Sequence, residues 1–143
     1  MNVAFFLTLK DDVAYILDTC TVRQGLEKMR SHGYTAIPVI TKENKYVGTV
    51  SEGDFLWYIV KAQADTDEIE QVYIKNLEDV YIRDILKKDR NPPVPITATI
   101  EDLLVRAMRQ NFIPVIDDLG SFVGIVTRKT IIKYCCNNQV KIK

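Results

Sequence analysis

Two stretches of this chain are copies of one another. Gly33-Tyr34-Thr35-Ala36-Ile37-Pro38-Val39-Ile40 is followed by Lys45-Tyr46-Val47-Gly48-Thr49-Val50-Ser51. Later, Asn111-Phe112-Ile113-Pro114-Val115-Ile116 is followed by Ser121-Phe122-Val123-Gly124-Ile125-Val126-Thr127. From Ile37 to Ser51 the copies align at a constant offset of 76, whereas upstream Thr21-Val22 aligns with Thr99-Ile100 at 78. The second copy is therefore two residues shorter, in the region of Tyr34-Thr35. A repeat of this kind constrains the fold more than any single motif, because both copies must build the same unit. Units of roughly 60 residues are marginal alone, so the two halves are expected to share a core.

Composition removes several function classes. Lys plus Arg and Asp plus Glu each number 19, for a formal net charge of zero. Nucleic-acid binding needs clustered cations to neutralise phosphates, and no basic run is present. No apolar stretch approaches the ~20 residues that span a bilayer, so no membrane partner is expected. Met1 to Lys10 has neither a basic leader nor a small-residue cleavage site, which argues against a signal peptide. Cys20, Cys135 and Cys136 are odd in number and lack metal-ligand or Cys-x-x-Cys spacing, as reduced thiols of a cytoplasmic protein would.

Each copy reads as β-α-β-β-α. In the first, Val13-Ala14-Tyr15-Ile16 forms a short strand, and Thr21 with Gln24 has the form of a helix capping box. Val22, Leu26 and Met29 recur at helical spacing up to Gly33, a C-terminal stop. Ile37 to Ile40 is a fully apolar strand, Tyr46 to Val50 another, and Ser51 caps a helix through Phe55, Leu56 and Ile59. In the second copy the strand is Val94-Pro95-Ile96, the cap is Thr99 with Asp102, and the helix turns Ile100, Leu103, Leu104 and Ala107 inward. Strands at Ile113–Ile116 and Phe122–Val126 and a helix from Thr127 complete it. The expected boundaries are a first domain over 1–63, an acidic, helix-permissive linker over 64–79, a second domain over 80–139 and a tail over 140–143. Tyr81 to Leu86 reads as a lead-in helix to the second half.

This order of elements, with apolar-Pro-Val-apolar on the second strand and Gly-apolar-apolar-[Ser/Thr] closing the third, resembles the CBS domain in tandem. The resemblance covers about Phe5 to Tyr134. It implies an α/β (α+β) fold in which two β-α-β-β-α repeats pack with pseudo-twofold symmetry, and modules that pair again as homodimers. It also implies a cleft between the repeats that takes an adenosyl ligand: AMP, ADP, ATP, S-adenosylmethionine or cyclic di-AMP. Gly33 to Pro38 and Val47 to Asp54 are similar to small stand-alone bacterial CBS proteins, some of which bind cyclic di-AMP and regulate a partner enzyme.

Ser51-x-x-Asp54 carries the sharpest chemistry. In the family such an Asp accepts from ribose hydroxyls, while the hydroxyl and helix N-terminus face phosphate. The plainer reading makes Ser51 an N-cap and Asp54 a complement to the helix dipole, and the two roles are compatible. The resemblance places adenine among Val13, Ala14, Tyr15, Thr35, Ala36, Ile37 and Pro38, with Tyr34 beside them. Ile37 fits a core position equally well, while Tyr15 and Tyr34 suit stacking on a base. Thr127 and Arg128 would add a hydroxyl and a cation, although a cation at a helix start opposes the dipole unless an anion is near, and a solvated charged end explains it as well. A weaker second site would use Val94, Ile113, Pro114 and Thr130. Thr130 replaces the carboxylate there, and Pro92-Pro93 removes two donors.

His32, the only histidine, sits where a helix end favours a cation. No nucleophile–base pair, Gly-rich phosphate loop or metal-ligand cluster is present, so neither catalytic residues nor a metal nor a required cofactor is expected. The sequence points to an asymmetric sensor of an adenosyl ligand that acts on an unidentified regulated protein. The alternative is an interaction scaffold with degenerate nucleotide sites.

Overall fold

A computed structural model describes residues 3–64, 78–87 and 90–137. Among them the chain forms β1 (Thr8–Leu9), β2 (Ile16–Leu17), α1 (Val22–His32), β3 (Ala36–Ile40), β4 (Tyr46–Ser51) and α2 (Glu52–Ala64). After these come α3 (Ile82–Ile85), β5 (Val94–Pro95), α4 (Ile100–Ala107), β6 (Phe112–Ile116), β7 (Phe122–Thr127) and α5 (Arg128–Asn137). The fold is mixed α/β, with two sheets ordered β1-β7-β6-β5 and β2-β3-β4. Most of the expected linker, 65–77, and the tail over 140–143 lie outside the described residues.

The repeat persists down to its irregularities. β3 and β4 pair antiparallel with Ile37 opposite Val50, and β6 and β7 with Ile113 opposite Val126. The register shifts between Val39 and Ile40 in one pair and between Val115 and Ile116 in the other. The leading strand of each copy is only two residues long and adds in parallel, β2 to Val39–Ile40 and β5 to Val115–Ile116. Pro38 and Pro114 thus fall before that pairing starts, where a residue without an N–H is tolerated. The expected strand start at Val13 is displaced to Ile16. The Val13 N–H is taken by the Lys10 carbonyl (3.1 Å), which closes a 3-10 turn instead.

Both capping boxes form. Thr21 Oγ1 accepts from the Gln24 N–H (3.1 Å) while Gln24 Oε1 accepts from the Thr21 N–H (2.9 Å). Asp102 Oδ2 likewise accepts from the Thr99 N–H (3.0 Å), and the Thr99 bonds hold the Asp102 carboxyl below its ordinary pKa. The two-residue difference between the copies is not where the sequence alignment put it. The Glu52 N–H donates to the Thr35 carbonyl (2.9 Å) and the Arg128 N–H to the Asn111 carbonyl (3.0 Å), so Thr35 does have a counterpart, Asn111. The second copy is shorter because α4 has eight residues against eleven in α1, which ends on Gly33 in the left-handed conformation. The connection to the next strand after α4 is one residue longer, leaving a net difference of two.

The chain forms two compact units, and they are not contiguous halves. Among the described residues, one unit lies within Ala14–Arg90, the other within Met1–Val13 and Asn91–Lys143. Each copy gives up its leading segment. β1 pairs antiparallel with β7, Thr8 opposite Ile125 and Leu9 opposite Gly124. Lys87 correspondingly bridges Thr49, the repeat equivalent of Ile125. α3, expected to lead into the second half, belongs to the Ala14–Arg90 unit. Its Ile82 is fully buried with Ile16, Val22, Met29, Ile37, Val50 and Phe55, and the Ile82 N–H donates to the Cys20 carbonyl (2.8 Å). The other core gathers Val3, Phe6, Val94, Leu103, Ile113, Val115, Val126 and Ile131.

Candidate functional site

β4 passes into α2 without an intervening loop, so Ser51 ends the strand and Asp54 lies in the first helical turn. The Asp54 carboxylate turns back over that junction. Its Oδ2 accepts from the Ser51 N–H (2.9 Å) and from the Ser51 hydroxyl (3.2 Å). Phe55, 2% exposed, anchors the turn in the core, and the Asp54 side chain is itself only 1% exposed. Two cations from the exchanged segment reach it. Arg90 Nη1 donates to Asp54 Oδ2 (2.5 Å) and to Ser51 Oγ (2.6 Å), while Lys87 Nζ stands 3.9 Å from Oδ1. Among the described residues no donor hydrogen-bonds to Oδ1. A buried carboxylate oxygen in that state is costly, and a donor from a ligand would satisfy it.

β3 lies alongside. Ala36 is opposite Ser51, and Thr35, exposed, accepts the Glu52 N–H through its carbonyl. Thr35, Ala36, Ser51 and Asp54 thus come together at one corner of the Ala14–Arg90 unit. Ile37 and Pro38 are buried, Ile37 completely, in the core position that competed with the ligand role in the sequence. Tyr34 is 40% exposed and stacks on His32, with ring centroids 5.6 Å apart. Tyr15 faces a different groove, of about 610 Å³, shared with Gln24 and Lys28, whose ammonium lies 5.1 Å from the tyrosine ring centroid. Ala14 is buried beside it in sequence. Asp54 lines a groove of about 540 Å³ with Trp57, Ile85 and Lys87.

The corresponding corner of the other unit has different chemistry. Thr127 and Thr130 share a hydrogen bond between their hydroxyls (2.8 Å), and Thr127 Oγ1 accepts the Thr130 N–H (3.2 Å). Arg128 does not stand unopposed at the start of α5. Its Nε donates to the Ala107 carbonyl (2.8 Å), so its charge meets the negative end of α4. Val94, Ile113 and Pro114 are buried in this unit. The leading segment here carries Asp11 and Asp12 rather than an arginine.

Nothing in the sequence assigns a role to Arg90 or Lys87. Asp54 and Arg90 are 36 residues apart, and the only local signal is the run of three cations, Lys87, Lys88 and Arg90, ahead of Pro92-Pro93. Among the described residues, no group of His, Cys, Asp or Glu side chains could hold a metal ion, and no helix is long and apolar enough to cross a membrane.

The CBS-domain family model matches residues 7–61 and 80–137. The chain belongs to the CBS-domain family. Its solved relatives include a CbpB crystallised in complex with c-di-AMP, at TM-score 0.83 and 31% identity, covering 96% of this chain and 85% of that one. The chloroplastic CBS domain-containing protein CBSX1 of Arabidopsis thaliana is 26% identical over 92% of this chain and 63% of its own length. A homoserine O-acetyltransferase of Methanohalophilus mahii is 27% identical over 86% of this chain but only 22% of the enzyme. The chain thus spans less than two thirds of these curated relatives, and the likeness to the acetyltransferase is confined to a minor part of it.

Proposed function

We propose that this CBS pair is a non-catalytic sensor that binds an adenosine-containing nucleotide at the Ser51–Asp54 corner and signals to a partner protein. One observation carries the reading: Asp54 is buried at the start of α2 with a carboxylate oxygen that no described residue hydrogen-bonds. A ribose hydroxyl is a donor of the right kind for that oxygen, and the helix N-terminus with Ser51, Arg90 and Lys87 suits phosphate. Thr35 and Ala36 border the same corner, and Tyr34 directly precedes them in the chain. The likeness to a CbpB crystallised with c-di-AMP supports an adenosyl ligand; AMP, ADP, ATP and S-adenosylmethionine share the recognised group. We place the protein in the cytoplasm as a homodimer whose ligand alters its affinity for the regulated protein, which requires different ligand affinities in two states.

Calorimetric titration with ATP, AMP, S-adenosylmethionine and cyclic di-AMP tests this. Heat from at least one, abolished in Asp54→Ala, is the expected result; silence with all four overturns it. A second reading, a ligand-free scaffold, draws on Thr127 and Thr130, whose hydroxyls satisfy each other, and on Leu56 and Trp57, 62% and 68% exposed on α2. It predicts a dimer that none of these ligands stabilises.

A further inference from the structure

We propose that Arg90 biases this site toward phosphate-bearing ligands: it is the residue by which the site selects a nucleotide over a nucleoside. The proposal rests on the nucleotide reading above and adds to it a specificity device in the exchanged segment.

The two partners of the ion pair differ in freedom. Asp54 is fixed, 1% exposed and held by the Ser51 N–H and hydroxyl. The Arg90 side chain is 34% exposed and approaches from the surface. Its backbone precedes Asn91 and Pro92-Pro93, whose rings limit the chain's freedom, so the side chain is the member able to swing. Oδ2 already accepts three donors: the Ser51 N–H, the Ser51 hydroxyl and Arg90 Nη1. Oδ1 accepts none among the described residues.

A sugar hydroxyl can reach Oδ1 with Arg90 in place, but a vicinal diol that uses both oxygens must displace the guanidinium from Oδ2. Arg90 would then lose its carboxylate and its Ser51 oxygen together. A guanidinium stays charged at any ordinary pH, so it cannot relieve this by shedding its proton. A ligand that carries a phosphate supplies a replacement anion with the bidentate geometry that Arg favours. Adenosine displaces the same group and offers nothing in exchange. Lys87, 3.9 Å from Oδ1, adds a second positive charge beside the same carboxylate and reinforces the bias. In the other unit, Thr130 stands in the place of Asp54 and the leading segment carries Asp11 and Asp12, so this device is confined to the Ala14–Arg90 unit.

The test is calorimetry on the full chain with adenosine, AMP and cyclic di-AMP, for wild type, Arg90→Ala and Arg90→Lys, each checked for folding by circular dichroism. Wild type is expected to prefer the phosphate-bearing ligand over adenosine by about tenfold or more. In Arg90→Ala that ratio falls to within about threefold, with adenosine binding tighter than in wild type because its internal competitor is gone. Arg90→Lys retains part of the preference, since an ammonium keeps the charge without the planar fork. An unchanged ratio in Arg90→Ala overturns the role of Arg90 and leaves the nucleotide reading standing. If AMP and cyclic di-AMP give no heat with any of the three proteins, the role of Arg90 is overturned, and if ATP and S-adenosylmethionine are silent as well, so is the nucleotide reading.

Discussion

Arg90 and Asp54, 36 residues apart, meet at 2.5 Å, with the carboxylate buried and the guanidinium at the surface. The pair ties the exchanged segment to the first turn of α2, so it contributes to stability as well as to the site. Removing Arg90 leaves a buried carboxylate held only by the Ser51 groups, with Lys87 nearby. Because Arg90 is partly solvated, the loss is smaller than for a fully buried pair, about 1–2 kcal/mol. Urea denaturation of Arg90→Ala at neutral pH checks this. A midpoint identical to wild type would mean that the contact is energetically idle.

The exchange of leading segments depends on glycine where β1 crosses β7. A Cβ on Gly124 would collide with the Thr8 backbone carbonyl, which cannot swing aside, whereas the positive φ that disfavours other residues is common to Gly124 (+159°) and Gly48 (+153°). At the repeat-equivalent Gly48 the nearest neighbours are the side-chain carbons of Leu86, at 3.0 Å or more, which can shift. Gly124→Ala is therefore expected to cost about 3 kcal/mol or more, and Gly48→Ala distinctly less. Thermal melts of the two variants decide it; equal losses would show that the Thr8 contact is not what sets the difference.

These contacts also mark how far the sequence could be read. The strands at Ile37–Ile40 and Ile113–Ile116 are visible because burial on both faces leaves an unbroken apolar run. The Thr21 and Thr99 caps are visible because donor and acceptor lie three residues apart. Ser51 and Asp54 are legible for the same reason. The exchange is not, because β1 has two residues, and its choice of β7 is set by packing far along the chain rather than by periodicity. Ile82, Ile85 and Leu86 announce a buried helix but not which core receives it. Arg90 is invisible because no local pattern records a partner 36 residues away.

Arg128 illustrates a cation whose surroundings reverse a local rule. At the start of α5 it should oppose the dipole, yet its Nε donates to the Ala107 carbonyl at the end of α4 (2.8 Å). Arg128→Ala is expected to cost about 1 kcal/mol through the loss of this charge-assisted bond, whereas Lys129→Ala, exposed one residue later, should stay within about 0.5 kcal/mol of wild type. Urea melts of both variants are the check. Equal effects would return Arg128 to the status of a solvated surface charge.

Tyr46 supplies a pH dependence whose sign is fixed. Its hydroxyl shares a 2.7 Å hydrogen bond with Thr49 Oγ1, and Thr49 is fully buried. Burial pushes the phenol from 10.0 up to about 12, with the Thr49 bond acting in the opposite direction. The folded chain thus favours neutral Tyr46. Below pH 10 the phenol is neutral whether the chain is folded or not, and its full contribution is present. Between pH 10 and about 12 the unfolded chain gives up the proton while the folded chain keeps it, so stability falls as pH rises, by on the order of 2–3 kcal/mol in total. Tyr46→Phe should lose about 1 kcal/mol at pH 8, where Thr49 is left without this partner, and then decline less steeply than wild type. Urea midpoints measured from pH 8 to 12 for both proteins separate Tyr46 from the other tyrosines and the lysines, and parallel declines would rule it out as the source.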